Sequence, residues 1–203
     1  MIDALLLPLQ RRVMSPPAQA LAGWGLRADQ ITLVGFVLGV LSVPALALGL
    51  NKLALGLILS NRLADGLDGA VARIAGPTDR GAFLDIALDF VIYATIPLGF
   101  AIADPGSNAL PAAVLIAAFV GTGSSFLAFA VIAEKRGIRA ADYPTKGIYY
   151  LGGLTEGAET ITLFVAMCLW PDLFPILAYA FAAACAQTTV MRWYQGWRSF
   201  APQ

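Results

Sequence analysis

Long apolar runs separated by short polar knots set the pattern of this chain. Runs over residues 31–50, 53–75, 81–103, 109–133, 149–170 and 173–195 each come near the roughly 20 residues that a helix needs to cross a bilayer. They lack the period-2 alternation of barrel strands, and an open sheet cannot satisfy its backbone in lipid. The pattern therefore predicts an all-α, integral membrane bundle of six transmembrane helices over 31–195, within a single membrane domain, 1–203. The segment 1–27 reads as a short N-terminal interfacial amphipathic helix, with Leu5, Leu6, Leu7 and Leu9 facing acyl chains. Pro16 and Pro17 are expected to interrupt it. Its arginines follow the apolar run rather than precede it, unlike a signal peptide.

Composition agrees: 59% of the 203 residues are hydrophobic and 13% are charged, far from the balance of a soluble domain. The spans leave no room for a separate soluble unit. The net charge of zero says nothing about partners, and no nucleic acid is expected among them; the distribution of charge says more. With six spans, Arg11, Arg12, Arg27, Arg73, Arg80, Lys135, Arg136, Arg139, Lys146, Arg192 and Arg198 all fall on one side. Lys52 falls on the other, and Arg62 lies within a span. Positive residues favour the cytoplasmic face, so both termini are expected there, in a multi-pass protein of the cell's inner (cytoplasmic) membrane. Cys168 and Cys185 read as small buried hydrophobes rather than as a disulfide or zinc framework. The chain has no histidine, so any base or metal site must rest on carboxylates.

Such carboxylates stand where lipid-facing residues are expected. Asp65 and Asp68 are spaced i, i+3 in the second run, and Asp85 and Asp89 i, i+4 in the third. Each pair shares a helix face. The turn "GPTDR" joins the two runs as an antiparallel hairpin. At about 1.5 Å per residue, all four carboxylates lie ~10–20 Å from that turn. If the faces meet, four carboxylates converge in the cytoplasmic half of the membrane. Isolated charges there cost several kcal/mol each. Protonation of some members would relieve the repulsion; so would two divalent cations, for which oxygen donors suit Mg²⁺ or Mn²⁺. Gly66 and Gly69 sit in mid-helix at a cost of ~1 kcal/mol each against alanine, and let something bulky approach the backbone. Arg73 shares the side of Asp65 and is suited to a phosphate. A plain packing role for small and polar residues does not account for acidic groups at matched depth.

"DGLDGAVARIAGPTDRGAFLDIALD", Asp65 to Asp89, resembles the signature of the CDP-alcohol phosphatidyltransferases, D-x2-D-G-x2-A-R followed by G-x3-D-x3-D. Asp65, Asp68, Gly69, Ala72, Arg73, Gly81, Asp85 and Asp89 meet its fixed positions, with a slightly short gap of seven residues in the turn. "RADQITLVG", residues 27–35, also resembles the entry to that family's first span. The resemblance implies transfer of a substituted phosphate from a CDP-linked donor, CDP-diacylglycerol foremost, to an alcohol, with release of CMP. It implies that Asp65, Asp68 and Asp85 hold two divalent ions. Asp89 would ligate one of them and act as the general base. Asp65, Gly69, Ala72, Arg73 and Gly81 would serve the nucleotide donor, and the protein would be a homodimer among membrane lipids.

The acceptor is less legible. Arg139 and Lys146, in the loop after the fourth run, can attract an anionic acceptor or lipid headgroup. Glu156 and Glu159, i and i+3 beside Gly157, are read as lying two to three turns into the fifth span. There they would line the acceptor cavity, pair with Arg62 or serve helix packing. Phe90 follows Asp89 where glycerol-phosphate-specific relatives are expected to carry lysine. The competing class is a cation- or proton-coupled membrane transporter using the same carboxylates. It predicts ion flux without nucleotide.

Overall fold

The structure is a computed structural model; it describes residues 2–137 and 154–201, with side chains from Arg12 onward. Among the described residues it is all-helical: α1 Ile2–Gly23, α2 Ala28–Ala47, α3 Asn51–Ala75, α4 Asp79–Ala103, α5 Pro105–Lys135, α6 Gly157–Leu169 and α7 Phe174–Ser199. A single 3-10 turn, Pro171–Leu173, precedes α7. By length and composition, α2, α4, α5 and the Pro171–Ser199 stretch can each cross a membrane. The 25-residue α3 has the length but carries the charged motif.

Two expectations are corrected. α1 is not interrupted at Pro16 and Pro17 but runs through them. These prolines remove the amides that would bond the carbonyls of Arg12 and Val13, and both of those residues are exposed, so the loss falls on the outer side of the helix. The fifth apolar run starts its helix later than expected. Residues 149–153 lie outside the described residues, Leu154–Glu156 are not helical, and α6 covers only 13 residues, about 20 Å at 1.5 Å per residue.

Packing explains how the hairpin is held. α2 lies against both α3 and α4, α5 against α4 and α7, and α1 against α3. Gly35 and Gly39 of α2 make the first contact close. A Cβ at Gly35 would come within 2.6 Å of the Ala64 Cβ, and one at Gly39 within 2.6 Å of the Ile92 side chain. Small residues four apart let helix backbones approach in this way where lipid provides no hydrophobic drive for association. Below this seam, Ala18 of α1 packs on Ala70 and Val71 of α3. At the far end an apolar core joins α2, α3, α4, α5, α6 and α7, with Phe100 and Phe174 stacked at 4.6 Å. Thr78 caps α4, its hydroxyl accepting from the Gly81 amide at 3.0 Å.

Candidate active site

The α3–α4 hairpin brings its aspartates together. Carboxylate oxygens of Asp65, Asp68 and Asp85 all lie within 4.8 Å of one another. They open on a pocket also lined by Thr32, Gly35, Asn61, Arg62 and Asp89. The i, i+3 step on α3 and the antiparallel pairing with α4 achieve this, as the spacing predicted. Asp89 takes a different partner. Arg62 donates from Nη2 to its Oδ1 at 2.6 Å, and Arg62 Nη1 stands 3.9 Å from Asp65 Oδ2. Asp68 is the most enclosed of the four and accepts from the Thr32 hydroxyl at 2.5 Å. The Ala28 carbonyl, 3.1 Å from the same oxygen, is the alternative acceptor for its single proton.

Hard oxygen donors at this spacing fit a divalent cation such as Mg²⁺ or Mn²⁺. Three carboxylates lacking a cation would repel across a few ångströms in a poorly solvated place. Arg62 offsets part of that charge, because its guanidinium faces the carboxylates of both helices.

Gly69, Ala72 and Arg73 continue along α3. A Cβ at Gly69 would meet only the far end of Arg73, its Nη1, at 3.5 Å, so that face is open to a ligand. Gly81 is different: a Cβ there would lie 3.1 Å from both Asp29 Oδ1 and Thr78 Oγ1. Its missing side chain gives room to Asp29 of α2, which is paired with Arg80 of α4.

The expected acceptor residues are not gathered here. Arg139 and Lys146 lie outside the described residues. Glu156 and Glu159 sit at the start of α6 rather than two to three turns inside a span. Glu159 accepts from the Glu156 amide at 3.2 Å, and the Glu156 carbonyl accepts from Thr160 Oγ1 at 2.9 Å. Neither lines the aspartate pocket, and Arg62 pairs with Asp89 and Asp65 instead of with them. Thr188 and Thr189 are buried in helix packing, with Thr155 donating to Thr188 at 3.1 Å. Cys168 and Cys185 are buried free thiols, as expected.

Sequence reasoning left Thr32, Asn61 and Arg62 without a role in the site. A signal for Arg62 existed: it lies three residues before Asp65, on the same helix face. Thr32 falls inside the quoted first-span entry, but only packing reveals that its hydroxyl meets Asp68.

A fold of this kind, with aspartates from two helices meeting in a bundle of apolar helices, defines an acidic centre. The chain belongs to the CDP-alcohol phosphatidyltransferase family, whose model matches residues 26–193. It is 51% identical over 197 residues to the inner membrane protein YnjF of Escherichia coli, covering 97% of this chain and 96% of that one. A shorter match, 32% over 97 residues, joins it to an archaetidylinositol phosphate synthase of Pyrococcus horikoshii, covering 47% of this chain and 51% of the relative. Its fold resembles that of the Mycobacterium tuberculosis phosphatidylinositol phosphate synthase PgsA1. The crystal structure with CDP-DAG bound has a TM-score of 0.69 at 22% identity, over 92% of this chain and 94% of that one. A second PgsA1 structure, in complex with manganese and citrate, has a TM-score of 0.71 at 22% identity, over 91% of this chain and 88% of that one. Family membership favours a transferase over a transporter.

Proposed function

We propose that this protein transfers a phosphatidyl group from CDP-diacylglycerol to the hydroxyl of a small alcohol and releases CMP, at a site facing the cytoplasm. The convergence of Asp65, Asp68 and Asp85 from two helices of a membrane hairpin carries this reading. The family and the CDP-DAG complex of the similarly folded PgsA1 support the donor. Counted over six spans, the basic residues cluster on one side, which supports the orientation. The alternative substrate arrangement, a soluble CDP-alcohol with diacylglycerol as acceptor, fits the same chemistry.

Asp65, Asp68 and Asp85, with Asp89 at the edge, are the residues that would hold two divalent cations. Bound there, Mg²⁺ or Mn²⁺ would supply charge neutralisation for a pyrophosphate and its leaving group. The chain's own residues do the rest. Gly69 keeps the backbone open toward the nucleotide, with Ala72 near it, and Arg73 meets donor phosphate, while Gly81 makes room for Asp29 at the start of α4. Asp89 accepts the proton of the acceptor hydroxyl as its oxygen attacks the lipid-bearing phosphorus. The bond from that phosphorus to the bridging oxygen breaks, and CMP leaves with the electron pair. Positioning and charge compensation dominate such transfers, so no covalent intermediate on the protein is expected. A labelled phospho-protein trapped with donor alone would overturn direct attack.

The relatives named as inositol phosphate synthases put inositol phosphate at the head of an acceptor panel that also holds glycerol phosphate, choline and polyols. We further propose a homodimer, by analogy within the family. The test is CMP release by purified protein with CDP-diacylglycerol, Mg²⁺ or Mn²⁺ and each acceptor, with Asp89→Asn as the inactive control. Ion flux into vesicles without nucleotide, and no CMP with any acceptor, would sink the reading in favour of the transporter.

A further inference from the structure

Arg62 stands in mid-α3, and an arginine within a membrane span is expensive unless it faces the interior and is paired. Here it is also braced. Its Nε donates to Asn61 Oδ1 at 2.9 Å, its Nη1 reaches the Tyr93 hydroxyl at 3.4 Å, and its guanidinium carbon lies 5.6 Å from the Tyr93 ring centre. Asn61 is itself fixed to another helix. It is buried and donates from Nδ2 to the Gly35 carbonyl of α2 at 3.0 Å. A Cβ at Gly39 would lie 3.1 Å from Asn61 Cγ, so the amide is packed against α2 on both sides. Tyr93 comes from α4, one turn after Asp89. Asn61 of α3, itself held by α2, and Tyr93 of α4 thus fix one guanidinium, whose Nη2 is aimed at one carboxylate oxygen, Asp89 Oδ1.

Charge compensation alone does not require this. An arginine three residues before Asp65 can offset that charge from its own helix without anchors on α2 and α4. Arginine is suited to anchored pairing because its planar fork holds several bonds in fixed directions, which lysine cannot reproduce. We propose that Arg62, braced by Asn61 and Tyr93, is a positioning residue that fixes the Asp89 carboxylate for proton transfer from the acceptor hydroxyl. With Oδ1 engaged by Arg62, Oδ2 is the oxygen that takes the proton. This inference rests on the assignment of Asp89 as the base.

The test is steady-state CMP release with CDP-diacylglycerol and the acceptor that supports it, alongside Mn²⁺ binding by calorimetry. Wild type, Arg62→Lys, Arg62→Gln, Asn61→Ala, the Asn61→Ala/Arg62→Gln pair and Asp89→Asn are compared. Misplacing a reacting group by about 1 Å can cost ~100-fold. Arg62→Lys and Arg62→Gln are therefore expected to lower kcat about 10- to 100-fold, with donor KM and Mn²⁺ affinity within about 3-fold. Asn61→Ala should reproduce part of the loss, and the double variant should be no worse than Arg62→Gln, since Asn61 acts through Arg62. Wild-type kcat in both Arg62 variants, with Asp89→Asn inactive, overturns the inference and leaves the base assignment standing. Losses of kcat and Mn²⁺ binding in step also overturn it, because Arg62 would then serve only to hold the site together. If Arg62→Gln does not fold, Arg62→Lys and Asn61→Ala decide by the same criterion. An active Asp89→Asn instead removes the base assignment on which the inference stands.

Discussion

Two acidic pairs in this chain look alike in sequence and do different things. Asp65 and Asp68 are i, i+3 with glycine beside them in an apolar run, and so are Glu156 and Glu159. The aspartates sit well inside α3 and face a second helix that brings Asp85 to within 4.8 Å. The glutamates sit at the first turn of α6, where Glu159 answers the Glu156 amide. A helix start leaves its first amides unsatisfied and favours negative charge, so acids there need no ligand. Acids in mid-helix have no backbone amide to satisfy, and the structure must supply a partner or a cation. Spacing gives the face; position along the helix and the opposing element give the role.

The largest test of that contrast is Asp85→Ala against the Glu156→Ala/Glu159→Ala pair. Loss of a ligand should exceed the ~10- to 100-fold cost of disturbing a residue behind one. Asp85→Ala is thus expected to reduce Mn²⁺ affinity and CMP release by ~100-fold or more, and the glutamate pair to leave Mn²⁺ affinity near wild type. Strong loss of Mn²⁺ binding in the glutamate pair would erase the distinction. Next in size is the seam that brings α2 against the site. Gly39→Leu forces a side chain into Ile92 and Asn61. Overpacking of this kind costs about 1–3 kcal/mol, readable as a lowered unfolding temperature in detergent. An unchanged temperature would mean the helices are not in close contact there.

Glu159→Ala alone tests the capping side of the comparison. Losing an N-terminal helix contact costs about 0.5–2 kcal/mol, so thermal stability should drop modestly. Glu159→Gln, which keeps an acceptor, should recover most of it. The smallest effect belongs to Asp104, which heads α5 outside the spans. Hydrogen bonds from Ser107 to its side chain hold its carboxyl below the ordinary value. A group whose pKa is lower folded than unfolded stabilises the fold above the unfolded pKa, and that contribution fades as pH falls through the folded one. Asp104→Ala should therefore lower the unfolding temperature slightly near neutral pH, and the difference from wild type should vanish in acid. A difference that persists in acid would point to a packing role.

Much was legible before any tertiary contact was known. The apolar runs located the helices, including α3 and α4 almost to the residue, because a span imposes length and composition together. Asp65, Asp68 and Asp85 were legible as a cluster because helical period and a short turn leave little freedom in how two antiparallel faces meet. Arg62 was visible but assigned to no carboxylate of the hairpin. Its rotamer and its anchors on Asn61 and Tyr93 depend on three helices at once. Glu156 and Glu159 fall at a helix start rather than two to three turns inside a span, because hydropathy does not mark where backbone bonding starts.

The helical membrane character and the acidic motif, with its spacing on each helix, are written in the order of residues alone. These follow from local geometry and from the insolubility of unpaired backbone in lipid. That Thr32 meets Asp68, that Arg62 takes Asp89 and that the glutamates of α6 stay out of the pocket follows from packing alone. Side-chain partners are set by which helices come within a few ångströms of one another. In this protein that turns on the close approach at Gly35 and Gly39, a consequence of packing across segments far apart in the chain.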